Sequence, residues 1–591
     1  MDRDAQSASP MEIVEAIQRA TRDFKLCPNR IWAVARSLPQ REQCLPSLIP
    51  PTEKIKQKMR REAHDQCTFD FCEYSRRDFT SVAQRHELPS CTNDPCGRLQ
   101  GLFPRAELEA AANDGKPTAW KLDGKSMIEP PQPFMAISHV WSDGTGAGAW
   151  PEGEINKCLY DFFKEIAEQF QCKGIWWDTI CIPKEKGARS KAINKIQSNY
   201  EDARITLVHD CFLRNWEWVD AETACFAIIM SPWFSRGWTS LELAKSRKVK
   251  VVFKGSYGPL IKDLDEDILA KDDDLSTSSR KADDYSTFRR HRIATEAIAN
   301  LRSRGITEIN ELLTVLGPRH TSWPRDIAII SGLLARVHIP QDPFQQDIYQ
   351  SILRKITKVS HGHLFHNSAT MSKGFSWCPT SLLDMPLAPS TTTLRIEVNG
   401  DLVGTWKVFS LDSIPKKKYI WKDTHPLIKA TLDLALMSKD KHVLLAEPKA
   451  KSITRALLVK LMRTKEKTLM KFHCQVHCQF VGSVYFHPPQ TLGKENERWI
   501  EVEVRIGDPE EMVEIEKRAW DYIIELKKAI HKPNHLDNVE TRDKTHPNAQ
   551  ELAEGEKGVQ LLLAAANRDE VKVEVKKAIH KPTTYAGGPF R

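Results

Sequence analysis

Along residues 134–253, short apolar runs alternate with segments in which apolar residues recur every three or four positions. Residues 134–138 (FMAIS) predict a buried strand, and Ile155, Leu159, Phe162, Ile166 and Phe170 share one helix face. Residues 174–177 predict a second strand. Ser190 is placed to cap a helix carrying Ile193, Ile196, Tyr200 and Ala203, and a third strand follows at 205–208. A helical stretch from about Trp238 to Ser246 leads into a strand at 249–253. This alternation predicts right-handed crossovers and an α/β fold with an open parallel sheet. Ligands bind such sheets beyond the carboxyl ends of the strands, where Ser138, His139, Asp178, His209 and Asp210 fall.

The same patterns divide the rest of the chain. Ser9, Pro10 and Glu12 suit the cap and first turn of a helix in an N-terminal helical region, 1–60. A Cys/His-rich insert occupies 61–130, the α/β unit 131–260, and an acidic, Ser-rich stretch that reads as a disordered loop 261–290. Helical periodicity resumes over 291–390. Residues 394–398 (LRIEV) and 403–408 flanking Asn399-Gly400 signal a hairpin in a C-terminal α+β or β-rich domain, 391–520. A helix and polar tail are expected over 521–591.

Composition narrows the class. Of 591 residues, 41% are hydrophobic and 28% charged, an ordinary globular profile. No run of eighteen apolar residues and no basic-then-apolar leader is present, so the expectation is a cytoplasmic protein without a transmembrane span. The net charge of +8 is concentrated: residues 415–471 hold 15 Lys and Arg against 5 Asp and Glu. There Ile453, Leu457 and Leu461 predict a helix carrying Lys460 and Arg463. It is either a solvated face or a contact for nucleic acid or anionic lipid. The 14 Cys are expected as thiols. Cys67, Cys72, Cys91 and Cys96 suit one tetrahedral structural zinc, with His86 or His64 able to replace a ligand; buried reduced thiols are the alternative.

Two further features carry chemistry. After the first strand come Trp141 and then Gly144, Gly146 and Gly148, a turn whose amides could approach a pyrophosphate while Trp141 stacks on a base. The alternative is a flexible loop over a core tryptophan. Asp178, at the end of the second strand, suits a ribose contact or a tie to Arg236; equally it could cap the next turn.

Three blocks in order resemble the fungal heterokaryon-incompatibility (HET) domain family. They are MAISHVWSDG at 135–144, the Trp-x-Asp-x-x-Cys-Ile opening at 176–182 with Tyr-x-x-Ala at 200–203, and WFSRGWTSLEL at 233–243. Ile182-Pro183-Lys184 stands where the family often has a Gln, and Leu241 replaces the Gln that usually precedes the Glu. The resemblance implies a role in nonself recognition and programmed cell death, acting through a protein partner or self-association. That family is in turn similar to Toll/interleukin-1 receptor (TIR) domains, which implies a flavodoxin-like sheet. It also implies an NAD-cleaving glutamate, here Glu242, with Ser138, His139, Trp141, Asp178, Arg236 and Trp238 as substrate-binding residues and NAD as substrate rather than cofactor. A carboxylate suits that reaction because it stabilises an oxocarbenium-like ribosyl centre. The competing expectations are a surface glutamate paired with Lys245 or Arg247, and a non-catalytic signalling or assembly module on the same fold.

Overall fold

The structure is a computed structural model. It describes residues 10–23, 26–37, 96–146, 155–270, 306–340, 344–411 apart from 373 and 389–391, 424–464 apart from 439 and 451, 476–491 and 499–508, with short pieces at 49, 67–68, 72, 82–87, 91, 295–302 in part, 418–420, 512–514 and 521–524. Ser9, His64, Gly148, the acidic residues 271–294 and the whole tail beyond 524 lie outside the described residues.

Helix α1 (Pro10–Asp23) begins at the expected proline. Glu12 in its first turn and Arg22 in its last both complement the helix dipole. Ala16, Ile17 and Ala20 are its buried face, and α2 (Pro28–Ser37) packs against it.

Six strands form the first sheet: β1 (Trp120–Lys121), β2 (Phe134–His139), β3 (Gly174–Trp176), β4 (Ile205–His209), β5 (Val249–Gly255) and β6 (Gly258–Asp263). Their spatial order is β1-β3-β2-β4-β5-β6. The inner four run parallel, and each edge is closed by an antiparallel strand. Every residue of β2 and β4 is buried, which is why both read as mostly apolar runs rather than alternating ones, with their polar residues gathered toward the carboxyl ends apart from Thr206. Helix α3 (Lys157–Gln169) joins β2 to β3, and α4 (Gly237–Lys245) precedes β5. The chain therefore winds outward from β2 to β3, then returns to lay down β4 and β5. That reversal opens a crevice at the carboxyl ends of β2 and β4.

Two boundaries differ from the sequence pattern. The helix assigned to Ser190 starts at Lys186, because the Glu185 side chain caps it by accepting from the amides of Gly187 and Ala188. It breaks at Lys195 before a second helix, Ile196–Asp202. The acidic stretch starts as folded structure: β6 ends in Asp263, whose carboxylate caps the short helix Leu264–Ile268 and pairs with Lys250 at 2.8 Å.

Helix α5 (Pro324–Leu334) packs against α4 and starts on its proline. The second sheet follows. Its strands β7 (Leu402–Ser410), β8 (His442–Ala446), β9 (Ser452–Thr464), β10 (Val476–Thr491) and β11 (Trp499–Ile506) close into a five-stranded barrel. Antiparallel pairs link β7 to β8, β8 to β9 and β9 to β10; β10 runs parallel to β11 and β11 returns to β7, where Val504 faces Gly404. The expected hairpin is present, with Arg395 opposite Val403 and Gly400 at φ 96°, a conformation open to glycine.

The region predicted as an amphipathic helix is β9. Its Ala456 and Leu458 join one core with Leu432 and Ala435 of helix Pro426–Met437, while Leu457, Val459 and Leu461 join the core that fills the barrel and continues to the first sheet. Arg455 of the basic stretch is held internally, pairing with Glu447 at 3.2 Å and stacking on Phe365. Lys416, Lys417 and residues 465–471 lie outside the described residues. Among the described residues no helix is long and apolar enough to cross a membrane. The described residues fall within a compact unit, Met1–Lys527.

Candidate functional site

The carboxyl ends of β2, β3 and β4 bring most of the expected residues together. Trp233 Nε1 donates to Ser138 Oγ at 2.7 Å, and the Ser138 hydroxyl donates to Glu242 Oε2. One turn into α4, Glu242 thus aims back at the end of β2. It is only 7% exposed, and Tyr200, whose hydroxyl donates to the Ile137 carbonyl at 3.1 Å, also contacts its carboxyl. Burial pushes the Glu242 carboxyl up to about 7, against the opposing hydrogen bond of Ser138. The surface-pair expectation fails here: Lys245 pairs with Glu201 at 2.9 Å instead.

Beside this carboxyl sits an ion pair. His139 Nε2 lies 2.6 Å from Asp178 Oδ1, and Trp141 Nε1 donates to Asp178 Oδ2 at 2.9 Å. Trp177 Nε1 also approaches His139 Nε2, at 3.1 Å. The anionic oxygen is the nearer and stronger partner, so we place a proton on Nε2 and treat the Trp177 approach as packing. Burial opposes a charged imidazole, but the charge and hydrogen bond of Asp178 outweigh it and raise His139 to about 9. Burial would likewise raise Asp178; the His139 cation keeps it below the usual carboxylate range. His139 Nδ1 is buried with no hydrogen-bond partner among the described residues. A cationic ring in this state holds a free donor for an acceptor group.

The glycine-rich turn folds over that ring rather than standing open. Gly144, at φ 86°, ends the turn Trp141–Asp143, and a Cβ at Gly146 would overlap His139 Cε1 and press on Trp141. Behind the turn, Thr145 Oγ1 lies 3.2 Å from His209 Nδ1, and Glu87 sits between His209 Nε2 (3.4 Å) and Arg214 (2.8 Å). Asp210 caps the helix after β4, accepting from Leu213 N, and also receives the Trp233 amide.

Two expected residues are elsewhere. Arg236 reaches Ser322 at 3.3 Å, just before α5, and Trp238 Nε1 donates to Asp326 Oδ2 at 3.0 Å, in the first turn of α5, so both tie the start of α4 to the start of α5. The reason is helical geometry: Trp238 and Glu242, four apart, share a side of α4 but differ in depth, and only Glu242 is buried toward the sheet. Arg236 instead lines a shallow cleft with Arg30, Ser142 and His320. Trp233 and Tyr200 were visible as motif letters, yet nothing in their spacing assigned them to Ser138 and Glu242.

The cysteines also regroup. Cys91 and Cys96 gather with His86 and Cys158, whereas Cys67 and Cys72 gather with Cys27; either set could hold a metal ion. One site built from Cys67, Cys72, Cys91 and Cys96 is therefore not what the fold makes. The helices α1 and α2 bring in Cys27 at their junction, and α3 brings in Cys158.

Comparisons of the chain with protein-family models, with curated proteins and with solved structures find no match.

Proposed function

We propose that this chain is a HET-type effector of nonself recognition and programmed cell death, built on a TIR-like sheet, that cleaves NAD or a related nucleotide when clustered. The parallel order β3-β2-β4-β5 supports the flavodoxin-like reading of the sheet. The observation that carries the activity is the buried Glu242 carboxyl, hydrogen-bonded to Ser138 at the crevice where the strand order reverses.

In this reading the bond from ribose C1′ to the nicotinamide nitrogen breaks, the bonding pair leaves with neutral nicotinamide, and water adds at C1′ with release of one proton. Glu242 as carboxylate stabilises the ribosyl cation, Trp141 and Asp178 border the ribose side, and the free Nδ1–H of His139 donates to a ligand oxygen. Arg236 feels the Glu242 charge but bonds to Ser322, and Trp238 bonds to Asp326, so neither is assigned a nucleotide contact in this reading. Ser138 is fully buried and Glu242 nearly so, so the site is closed as folded. Activity then requires opening, which ties it to partner binding or self-association. The same closure favours the second reading, a non-catalytic assembly module.

The test is nicotinamide release from NAD by the purified full chain, dilute and clustered on a scaffold. Release by the clustered wild type that Glu242→Gln abolishes supports the enzyme. No release from clustered wild type leaves the assembly module.

A further inference from the structure

The Cys/His-rich segment joins the α/β unit through four side chains from two distant stretches of chain. His86, Cys91 and Cys96 come from the insert, and Cys158 is the second residue of α3. Their ligand atoms all lie within 4.8 Å of one another. Cys96 Sγ is 3.3 Å and Cys158 Sγ 3.5 Å from His86 Nδ1. A tetrahedral ion held at about 2.3 Å by sulfur and about 2.0 Å by nitrogen sets those atoms roughly 3.5 Å apart, so the donors already stand at ligand spacing.

A second observation points the same way. The Glu87 amide donates to Cys158 Sγ at 3.3 Å, and the Cys158 amide donates to Cys96 Sγ at 3.5 Å. Amide donors aimed at sulfur are the outer hydrogen bonds that orient ligating cysteines around a metal. All three cysteines are free, and Cys91 and Cys158 are buried. Three sulfurs and one imidazole nitrogen form a soft, tetrahedral donor set suited to zinc.

We propose that His86 Nδ1 and the Sγ atoms of Cys91, Cys96 and Cys158 bind one zinc ion, which staples the insert to the start of α3. The ion fixes more than the insert. Glu87, next to His86, contacts His209 at the end of β4, and the Arg85 amide donates to the Gly144 carbonyl at 3.0 Å, so the staple also anchors one wall of the switch-point turn.

The experiment measures zinc per chain in the purified full-length protein and in Cys158→Ala, then replaces zinc by cobalt and reads the visible spectrum. Cys158→Ala should hold one zinc fewer than wild type and lose the absorption of a tetrahedral cobalt thiolate centre. Counting by difference keeps any ion at Cys27, Cys67 and Cys72 out of the result. His86→Cys, which keeps four donors, should retain the ion with a shifted cobalt spectrum even if Cys158→Ala folds poorly. Equal zinc in wild type and folded Cys158→Ala, a folded His86→Cys without the ion, or wild type with under half an equivalent and with Cys91, Cys96 and Cys158 all alkylated under native conditions, would overturn the site.

Discussion

Replacing Glu242 with Gln should make the protein more stable in mild alkali while removing whatever NAD cleavage it performs. Burial holds the carboxyl near 7, above its ordinary 4.5, so the folded state takes up the proton more readily than the unfolded chain. That stability is fully present below about pH 4.5 and is lost as pH rises through 7, where folding must bury the charge. A shift of this size corresponds to on the order of 3 kcal/mol at about 1.4 kcal/mol per unit. Gln keeps the shape and accepts the Ser138 hydroxyl without ever carrying the charge. A unit of about 500 residues unfolds with an entropy of roughly 1 kcal/mol per degree, so the gain amounts to about 3 °C. Differential scanning calorimetry at pH 5 and pH 8 reads it directly: matched midpoints for the two proteins at pH 5, and a higher midpoint for Glu242→Gln at pH 8. Clustered wild type should cleave NAD faster as pH rises through 7, because the carboxylate is the active form. A Glu242→Gln protein that is less stable than wild type at pH 8 would refute the desolvated-carboxyl argument, whatever the activity shows.

Asp178→Asn strands a buried imidazolium, so the His139 titration should fall from about 9 to below 6.5, with a loss of about 3 kcal/mol or more near pH 7, followed by NMR of the ring protons and by denaturation. Gly146→Ala should cost about 1 to 3 kcal/mol because its methyl group displaces the His139 and Trp141 rings, and Trp fluorescence should shift with it. Trp233→Phe removes the donor to Ser138 and should lower NAD cleavage, while Trp238→Phe, which loses only its bond to Asp326, should leave cleavage unchanged and lower stability by about 1 kcal/mol.

The parallel core of the fold could be read in the sequence because strands buried on both faces do not alternate with exposed polar residues, and FMAIS and ITLV stand out against amphipathic helices for that reason. The position of Glu242 after Trp238 could be read from the motif, but its depth could not, since no local pattern tells a helix side facing a sheet from one facing another helix. The β9 strand misled for a simpler cause. Ile453, Leu457 and Leu461 are four apart, a spacing close to one helical turn and also an even number, so it suits both periods. A register shift between Ile453 and Arg455 places Ile453 with the opposite core from Leu457, a phase change that spacing cannot reveal. Cys158 escaped notice because it is remote in sequence from the other cysteines of its group and comes to them only when α3 docks.

The ring of five strands sets an order in time. Its last strand, β11, is the one that touches its first, β7, so the ring cannot shut before residue 506 has left the ribosome. The first sheet has all its strands by residue 263. At ordinary rates of synthesis those 240 or so residues take roughly 12 to 50 seconds. For that interval the Ser138 and Glu242 pairing can exist on a nascent chain whose barrel strands stand unclosed, a window in which their apolar residues are open to chaperones and to neighbouring chains.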